Sequence, residues 1–328
     1  MIEIQRCTDS DMWDDYILSN SGHPLQLWDW GQVKTAHGWS ADRLFGYDEN
    51  DNIVGAVQIL TRKVPLPVRA FSYAPRGPVG EQGSSEEFLD GIAKYVKREY
   101  RSVALSIEPD SLEFSAPQGW VTPKNKILPA RTIIIDLTKS DSDLLMAMDK
   151  KTRQYIRKSS AEAITIRQVR TKEDLQKCLD VYHETAKRAH FNIHSDQYYF
   201  DVFTLLDDHS PVFAAYLDDQ PIAFLWIAVS ADTAFELYGG MNEQGKELRA
   251  NYALKWYAIR KTKEWGLSRY DFGGLVDGGV STFKLTWTDV ETMLAGTFDK
   301  PLSSAYSLWN SILPMAKKIT HKLRSHKR

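Results

Sequence analysis

Hydrophobic and polar positions along the chain fall into two similar runs. Residues 43–60 read RLFGYDENDNIVGAVQIL, and residues 212–229 read VFAAYLDDQPIAFLWIAV. In each, a short apolar strand ends at Tyr47 or Tyr216, a polar turn follows, and an apolar run restarts at Ile53 or Ile222. Both anchor pairs share the same offset. Apolar strands around an Asp- or Asn-rich turn predict a β-hairpin. Downstream, residues 86–107 read as an amphipathic helix running into a buried strand. Residues 247–272 repeat that order, with a stop at Gly266 and with Leu254, Tyr257, Ala258 and the stem of Lys261 at helical spacing. Hairpin, helix and strand, twice over, predict two copies of one α/β unit. Between the copies, residues 143–163 predict one helix. Leu144, Leu145, Met148, Thr152, Tyr155 and Ile156 form its apolar face, and Lys150, Lys151, Arg153, Arg157 and Lys158 line the rest. The expected division is therefore a domain over 1–142 and another over 143–299.

Bulk properties agree with this picture. The 328 residues allow about two domains, and 43% hydrophobic with 26% charged residues describes an ordinary globular protein. A net charge of −2 means that any polyanion must be met by a local patch. Cys7 and Cys178 are too far apart for a disulfide framework or a cysteine zinc site, which fits a reducing, cytoplasmic setting. The N-terminus shows no apolar signal region. The longest apolar run, Ala223 to Ser230, is strand-sized and far short of the ~20 residues that cross a bilayer. Two basic clusters stand out, Lys150 to Lys158 and the final KKITHKLRSHKR. Each reads either as a solvated face or tail, or as a contact for RNA phosphates, nucleotide phosphates or an anionic membrane surface.

The stretch DFGGLVDGGVSTFK, Asp271 to Lys284, invites three readings. A kinase-type metal site would need a glycine-rich loop and catalytic-loop companions, and the chain has neither. A Walker loop would need Gly-Lys followed by Ser or Thr, but Lys284 stands well past Gly279 and precedes Leu285. The remaining reading is a glycine-permitted bend that returns Phe283 and Lys284 to a cleft. His183, His190 and His194 do not share one unbroken helix, because Phe191 to Ile193 reads as a loop and Ser195 as a helix N-cap, so no metal site is expected. No activated nucleophile is visible. Two further stretches resist a scaffold explanation: Leu25 to Trp39, with three tryptophans around Lys34, and Phe71 to Gly80, where a Pro-Arg-Gly-Pro turn aims Arg76 at a phosphate or carboxylate.

The repeated unit resembles the acetyltransferase (GNAT) core, a mixed sheet flanked by helices, so the expected fold is α/β with mixed sheets in two tandem GNAT-like domains. The segments Gly80 to Phe88 and Asn242 to Tyr252 lack that family's pyrophosphate loop, so acyl-CoA is not the expected cofactor and no other cofactor is expected. Taken together, Leu25-Gln26, Trp30-Gly31 with Lys34, Tyr73 to Pro78, the basic helix at Arg153 to Lys158, Tyr238-Gly239-Gly240, Leu248 to Trp256, and Asp271 to Gly274 leading to Phe283-Lys284 resemble the FemABX peptidyltransferases, in their compact form without a coiled-coil insertion.

The resemblance implies transfer of an amino acid from aminoacyl-tRNA to the stem peptide of a peptidoglycan precursor, nucleotide-linked or lipid-linked. It implies a C-terminal helix within 300–328 that completes the first domain. A monomer is expected, and the basic tail leans toward peripheral contact with the inner membrane surface. By the same resemblance Lys284 meets the oxyanion or the tRNA 3′ end, and Phe283 stacks or seats substrate. Lys34 and Arg188 clamp the precursor diphosphate, and Tyr238, Tyr252 and Arg76 contact substrate. Glu108 or Asp110 stands as candidate proton acceptor. Two alternatives stay open, an acyl-CoA-dependent N-acyltransferase and a non-catalytic tRNA-binding or wall-assembly scaffold.

Overall fold

The computed structural model describes residues 1–66, 68–275 and 279–311. Its contacts divide the chain into two units, Met1–Ala130 with the described residues from Met293 onward, and Arg131–Thr292.

In the first unit, β1 (Glu3–Cys7), β2 (Ser40–Tyr47), β3 (Ile53–Lys63), β4 (Ala70–Pro75) and β5 (Ala104–Glu108) lie in that order in one sheet. The predicted hairpin is β2–β3, with Tyr47 opposite Ile53. β4 and β5 run parallel, joined by helix α3 (Glu86–Tyr100), and the strand Phe298–Pro301 closes the edge antiparallel to β5. α3 starts where Ser85 caps the amide of Phe88 (3.2 Å) and stops at Arg101 in the left-handed region. Its buried stripe, Phe88, Leu89, Ile92 and Val96, packs on Leu44, Val57, Ile59, Leu105 and Ile107. α1 (Ser10–Ser19) packs Trp13 and Ile17, with Leu27 at the N-cap of α2 (Trp28–Ala36), against Phe45 of β2 and Ala56 of β3. Tyr306 is buried with Val103 and Ala104, and Trp309 lies 5.3 Å from Phe71, centroid to centroid. The rest of the expected C-terminal helix, and the basic tail, lie outside the described residues.

The second unit contains β6 (Arg131–Thr132), β7 (Ile134–Asp136), α4 (Asp141–Ala147), α5 (Lys150–Ser160), β8 (Thr165–Gln168), α6 (Lys172–Ala189), α7 (Asp196–Leu206), β9 (Val212–Leu217), β10 (Gln220–Val229), β11 (Thr233–Met241), α8 (Glu243–Glu247), α9 (Ala250–Glu264), β12 (Arg269–Asp271) and α10 (Gly279–Lys284). Its sheet order, β8-β9-β10-β11-β12-β7, reproduces the first unit strand for strand. β9–β10 is the hairpin, β11 and β12 are parallel, and β7 closes antiparallel. The repeat read from the sequence is thus a repeat of topology.

Two local readings change. Residues 143–163 form two helices, not one, because Met148 turns extended (ψ 155°) to bury its side chain and Asp149 restarts the helix. On α9 the buried stripe is Ala250, Ala253, Leu254, Lys255, Ala258, Ile259 and Thr262, so Tyr257 and Lys261 flank the core rather than fill it.

The closing strand of the first unit carries a buried carboxylate. Burial pushes Asp299 up to about 6, and its Oδ2 accepts from Tyr306 Oη (3.1 Å). A carboxyl raised in the folded state contributes fully below its unfolded value of about 4 and loses that contribution as pH rises through 6. Urea denaturation of the native chain should therefore show stability falling by about 1 to 2 kcal/mol between pH 5 and 7.5 from this group. Asp299→Asn should flatten that slope, and an unchanged slope would show that the group does not titrate there.

Candidate active site

The site starts at the end of β12. Asp271 is fully buried, takes a hydrogen bond from Thr132 Oγ1 and another from the amide of Gly273 (2.9 Å), and Gly274 N donates to Thr132 Oγ1 (3.1 Å). This knot fixes a bend in which Gly273 (φ +76°) and Gly274 (φ +90°) both take left-handed backbone. Only glycine adopts that without strain. At Gly273 space is closed as well, since a Cβ would lie 2.6 Å from the carbonyl oxygen of Glu236 on β11. The bend turns the carbonyls of Phe272 and Gly274 toward Lys284, whose ammonium donates to both, at 3.0 Å for Gly274. Asp271-Phe272-Gly273-Gly274 is therefore a cradle for one lysine.

α10 presents Phe283 beside Lys284. The Phe283 ring meets Tyr252 edge-on at 5.0 Å and Trp287 at 5.9 Å, and Tyr252 meets Tyr155 of α5 at 5.0 Å. β11 carries a bulge at Leu237, so that Glu236 opposes Ile227 and Tyr238 opposes Trp226. Tyr238 is enclosed by Tyr182, Tyr199 and Trp226, shares a hydrogen bond with Tyr198 (3.3 Å), and burial keeps its phenol far above the usual range and so neutral. α6 ends by placing Arg188 at the edge of β11, where Nη2 donates to Met241 O (2.7 Å).

Part of this assembly lines one cavity of about 610 Å³. It unites Lys284, Phe283, Tyr238, Tyr252 and Arg188, five of the residues singled out from the sequence. It also holds groups that the sequence reading missed: Lys246, Arg249, Lys255 and Glu236. Among the described lining residues, five cationic side chains face one carboxylate, so the cavity favours an anionic ligand. Lys255 is 6% exposed, paired with Glu236, and its ammonium lies 4.1 Å from the Phe272 ring centroid. Burial brings Lys255 down to about 8, against the pull of Glu236, and the Lys284 charge lowers it further. Its position was legible in principle, because it falls in register with Leu254, Ala258 and Ile259 on the core side of α9.

The remaining substrate-site candidates, Lys34, Arg76 and Glu108, belong to the first unit. Lys34, in the last turn of α2, is half-buried with its ammonium 4.2 Å from the Trp30 ring, and burial lowers it to about 8. Arg76 follows β4 at φ +52° and is 3% exposed. Gln26 ties that turn down, donating to Pro75 O (2.6 Å) and accepting from Gln58 N (2.7 Å). Glu108 is 2% exposed, and its carboxylate accepts from Tyr73 Oη, Thr297 Oγ1 (2.7 Å) and the amides of Leu128 (2.9 Å) and Ile127 (3.3 Å). Of the histidines, His183 pairs with Asp196 (2.7 Å), and His190 terminates α6 in the left-handed region. No group of metal-ligating side chains occurs among the described residues.

Comparison with known proteins adds three findings. The profile of the FemAB family matches residues 10–115, and that of the acetyltransferase (GNAT) domain matches residues 147–285. The lipid II:glycine glycyltransferase of Staphylococcus saprophyticus is 22% identical over 393 residues, covering 92% of this chain and 94% of that protein. The Staphylococcus aureus protein of the same name is 25% identical, covering 76% of this chain and 60% of that one. Among solved structures, FemX superposes with a TM-score of 0.83 at 19% identity, over 94% of this chain and all of that one. A tandem GNAT protein from the clavulanic acid pathway gives 0.54 at 8% identity, over 92% of this chain and 99% of that one. These likenesses agree with two tandem GNAT-like folds.

Proposed function

We propose that this chain, whose residues 10–115 match the FemAB family profile and whose fold matches FemX, is a member of that family and transfers an amino acid from aminoacyl-tRNA to the stem-peptide amine of a peptidoglycan precursor, building the interpeptide bridge. The observation that carries this reading is Lys284, held on two carbonyls beside the Phe283 ring in a cationic cavity. The acceptor class follows the staphylococcal relatives, which bear the name lipid II:glycine glycyltransferase.

The reaction is aminolysis of an ester. A tRNA ester is already activated, so the barrier lies in holding two large substrates in register and in stabilising the oxyanion. Lys284 supplies a fixed positive charge for that oxyanion. Phe283 and Tyr252 offer faces on which a terminal base can stack. Arg188, Lys246 and Arg249 match phosphate on either substrate. Arg188→Ala should raise KM for the precursor roughly tenfold with kcat nearly unchanged. Equal KM values in steady-state assays would remove Arg188 from the clamp.

This reading places the protein in the cytoplasm as a monomer, reaching the membrane surface through a lipid-linked acceptor. No described helix is long and apolar enough to cross a membrane. The test incubates the full chain with labelled glycyl-, alanyl- or seryl-tRNA and either the UDP-linked or the lipid-linked precursor. Label should enter one acceptor, and tRNA affinity should fall steeply with salt. Failure of every combination would contradict the reading.

A further inference from the structure

Aminolysis needs a proton acceptor as well as a partner for the oxyanion. At neutral pH the stem-peptide amine is an ammonium ion, and it must lose a proton before it can attack. Glu108 is poorly suited to take it, because four donors already occupy its buried carboxylate. Glu236 is different. It is the carboxylate among the described residues that line the cavity. Both of its hydrogen bonds end on the same oxygen: Lys255 Nζ and Tyr270 Oη (3.0 Å) donate to Oε1. Among the described residues no donor meets Oε2, which keeps its lone pairs for a further donor. The side chain is thus oriented from one oxygen and open at the other.

Its location is also fixed relative to the lysine cradle. The carbonyl oxygen of Glu236 abuts Gly273, which sits between the two residues whose carbonyls hold Lys284. The Lys255 ammonium lies 4.1 Å from the Phe272 ring centroid and 5.6 Å from that of Phe283. A carboxylate and a separately held ammonium therefore stand on one wall of the cavity.

We infer that Glu236, oriented by Lys255 and Tyr270, docks the acceptor ammonium and accepts its proton, while Lys284 serves the oxyanion. This inference rests on the aminoacyl-transfer reading above. The substrate ammonium donates to Oε2 and gives up one proton there. The freed amine attacks the ester carbonyl, and the C–N bond forms. As the adduct collapses, the C–O bond to the tRNA ribose breaks, and the second proton on nitrogen passes to the leaving ribose oxygen. The proton on Glu236 is released to solvent, so one ammonium and one ester yield one amide, one alcohol and one proton. Lys255 holds Glu236 through Oε1 and leaves Oε2 open to the cavity.

Glu236→Gln keeps the shape but cannot take the proton. It also leaves Lys255 as a buried unpaired charge. The double variant Glu236→Gln/Lys255→Met removes both charges and serves as the folded comparison, verified by circular dichroism. Each is assayed with wild type, using the lipid-linked or UDP-linked precursor that the wild type accepts. The expected result is a loss in kcat of about 100-fold or more in both variants, with aminoacyl-tRNA affinity unchanged. A precursor whose stem amine is replaced by an alkoxyamine, neutral near pH 7, should regain most of that loss in the double variant.

Any of three outcomes would overturn the inference. The first is kcat near wild type, and the second is equal loss with both acceptors. The third is a rise in KM for aminoacyl-tRNA alone, which would assign Glu236 to the α-ammonium of the donor. Inactivity of the wild type would instead defeat the aminoacyl-transfer reading.

Discussion

Lys284→Met should lower kcat for aminoacyl transfer by about 100- to 1,000-fold, the usual loss when one oxyanion-stabilising group is removed. The expected cost to folding is much smaller. Lys284 makes two hydrogen bonds to carbonyls at a partly buried position, and losing them costs about 1 to 3 kcal/mol. Methionine keeps the stem's packing against the aromatic wall while removing the charge. Lys284→Arg should not restore full activity, because a planar guanidinium fork cannot replace a compact ammonium between the carbonyls of Phe272 and Gly274. Single-turnover transfer and thermal unfolding on the same preparations separate the two effects. If activity stays within a few-fold of wild type, or falls only as the protein unfolds, Lys284 is scaffold.

Gly273→Ala should be the most damaging of the glycine substitutions in the site. The residue sits at φ +76°, where an L side chain costs roughly 1 to 2 kcal/mol. Its Cβ would also stand 2.6 Å from the backbone oxygen of Glu236, and a backbone atom cannot swing aside as a side chain can. Overpacking of this kind adds about 1 to 3 kcal/mol. The total, about 2 to 5 kcal/mol, should lower the midpoint of unfolding by roughly 5 to 15 °C. Any relaxation would move the Phe272 and Gly274 carbonyls, so kcat should fall as well. Gly266→Ala is the control. It has a similar φ of +88° but open space around the added carbon, so it should cost about 1 kcal/mol and leave kcat unchanged. Similar melting curves for the two variants would refute the close contact at Gly273.

Much of this arrangement could be read from the chain itself, and the reasons differ by element. The β2–β3 and β9–β10 hairpins announce themselves because apolar strand, polar turn and apolar strand are local patterns. The bend at Gly273-Gly274 was legible because glycine pairs beside a strand end imply positive φ, and Lys284 does return to it. The closing strands Ile134–Asp136 and Phe298–Pro301 were not legible. They are three and four residues long, and their pairing with β12 and β5 is a long-range event that no local periodicity encodes. The break between α4 and α5 carries no glycine or proline; Met148 leaves the helix because its side chain finds burial there. Lys255 and Glu236 were missed for a common reason. Pattern reading assigns charged residues to solvent, and here a charged pair occupies core positions of a helix and a strand. Such pairs cost desolvation energy, which makes their presence in a cavity informative.

The central claim is that the acyl group comes from an aminoacyl-tRNA ester and ends on the stem-peptide amine. Mass spectrometry of the precursor after incubation with the wild-type chain and a mixture of aminoacylated tRNAs tests it most directly. The account predicts a gain of one aminoacyl residue, located on the stem-peptide amine by fragmentation, and abolished by prior RNase treatment or by Lys284→Met. A precursor left unmodified by every aminoacyl-tRNA, but acylated when acyl-CoA is supplied instead, would contradict it.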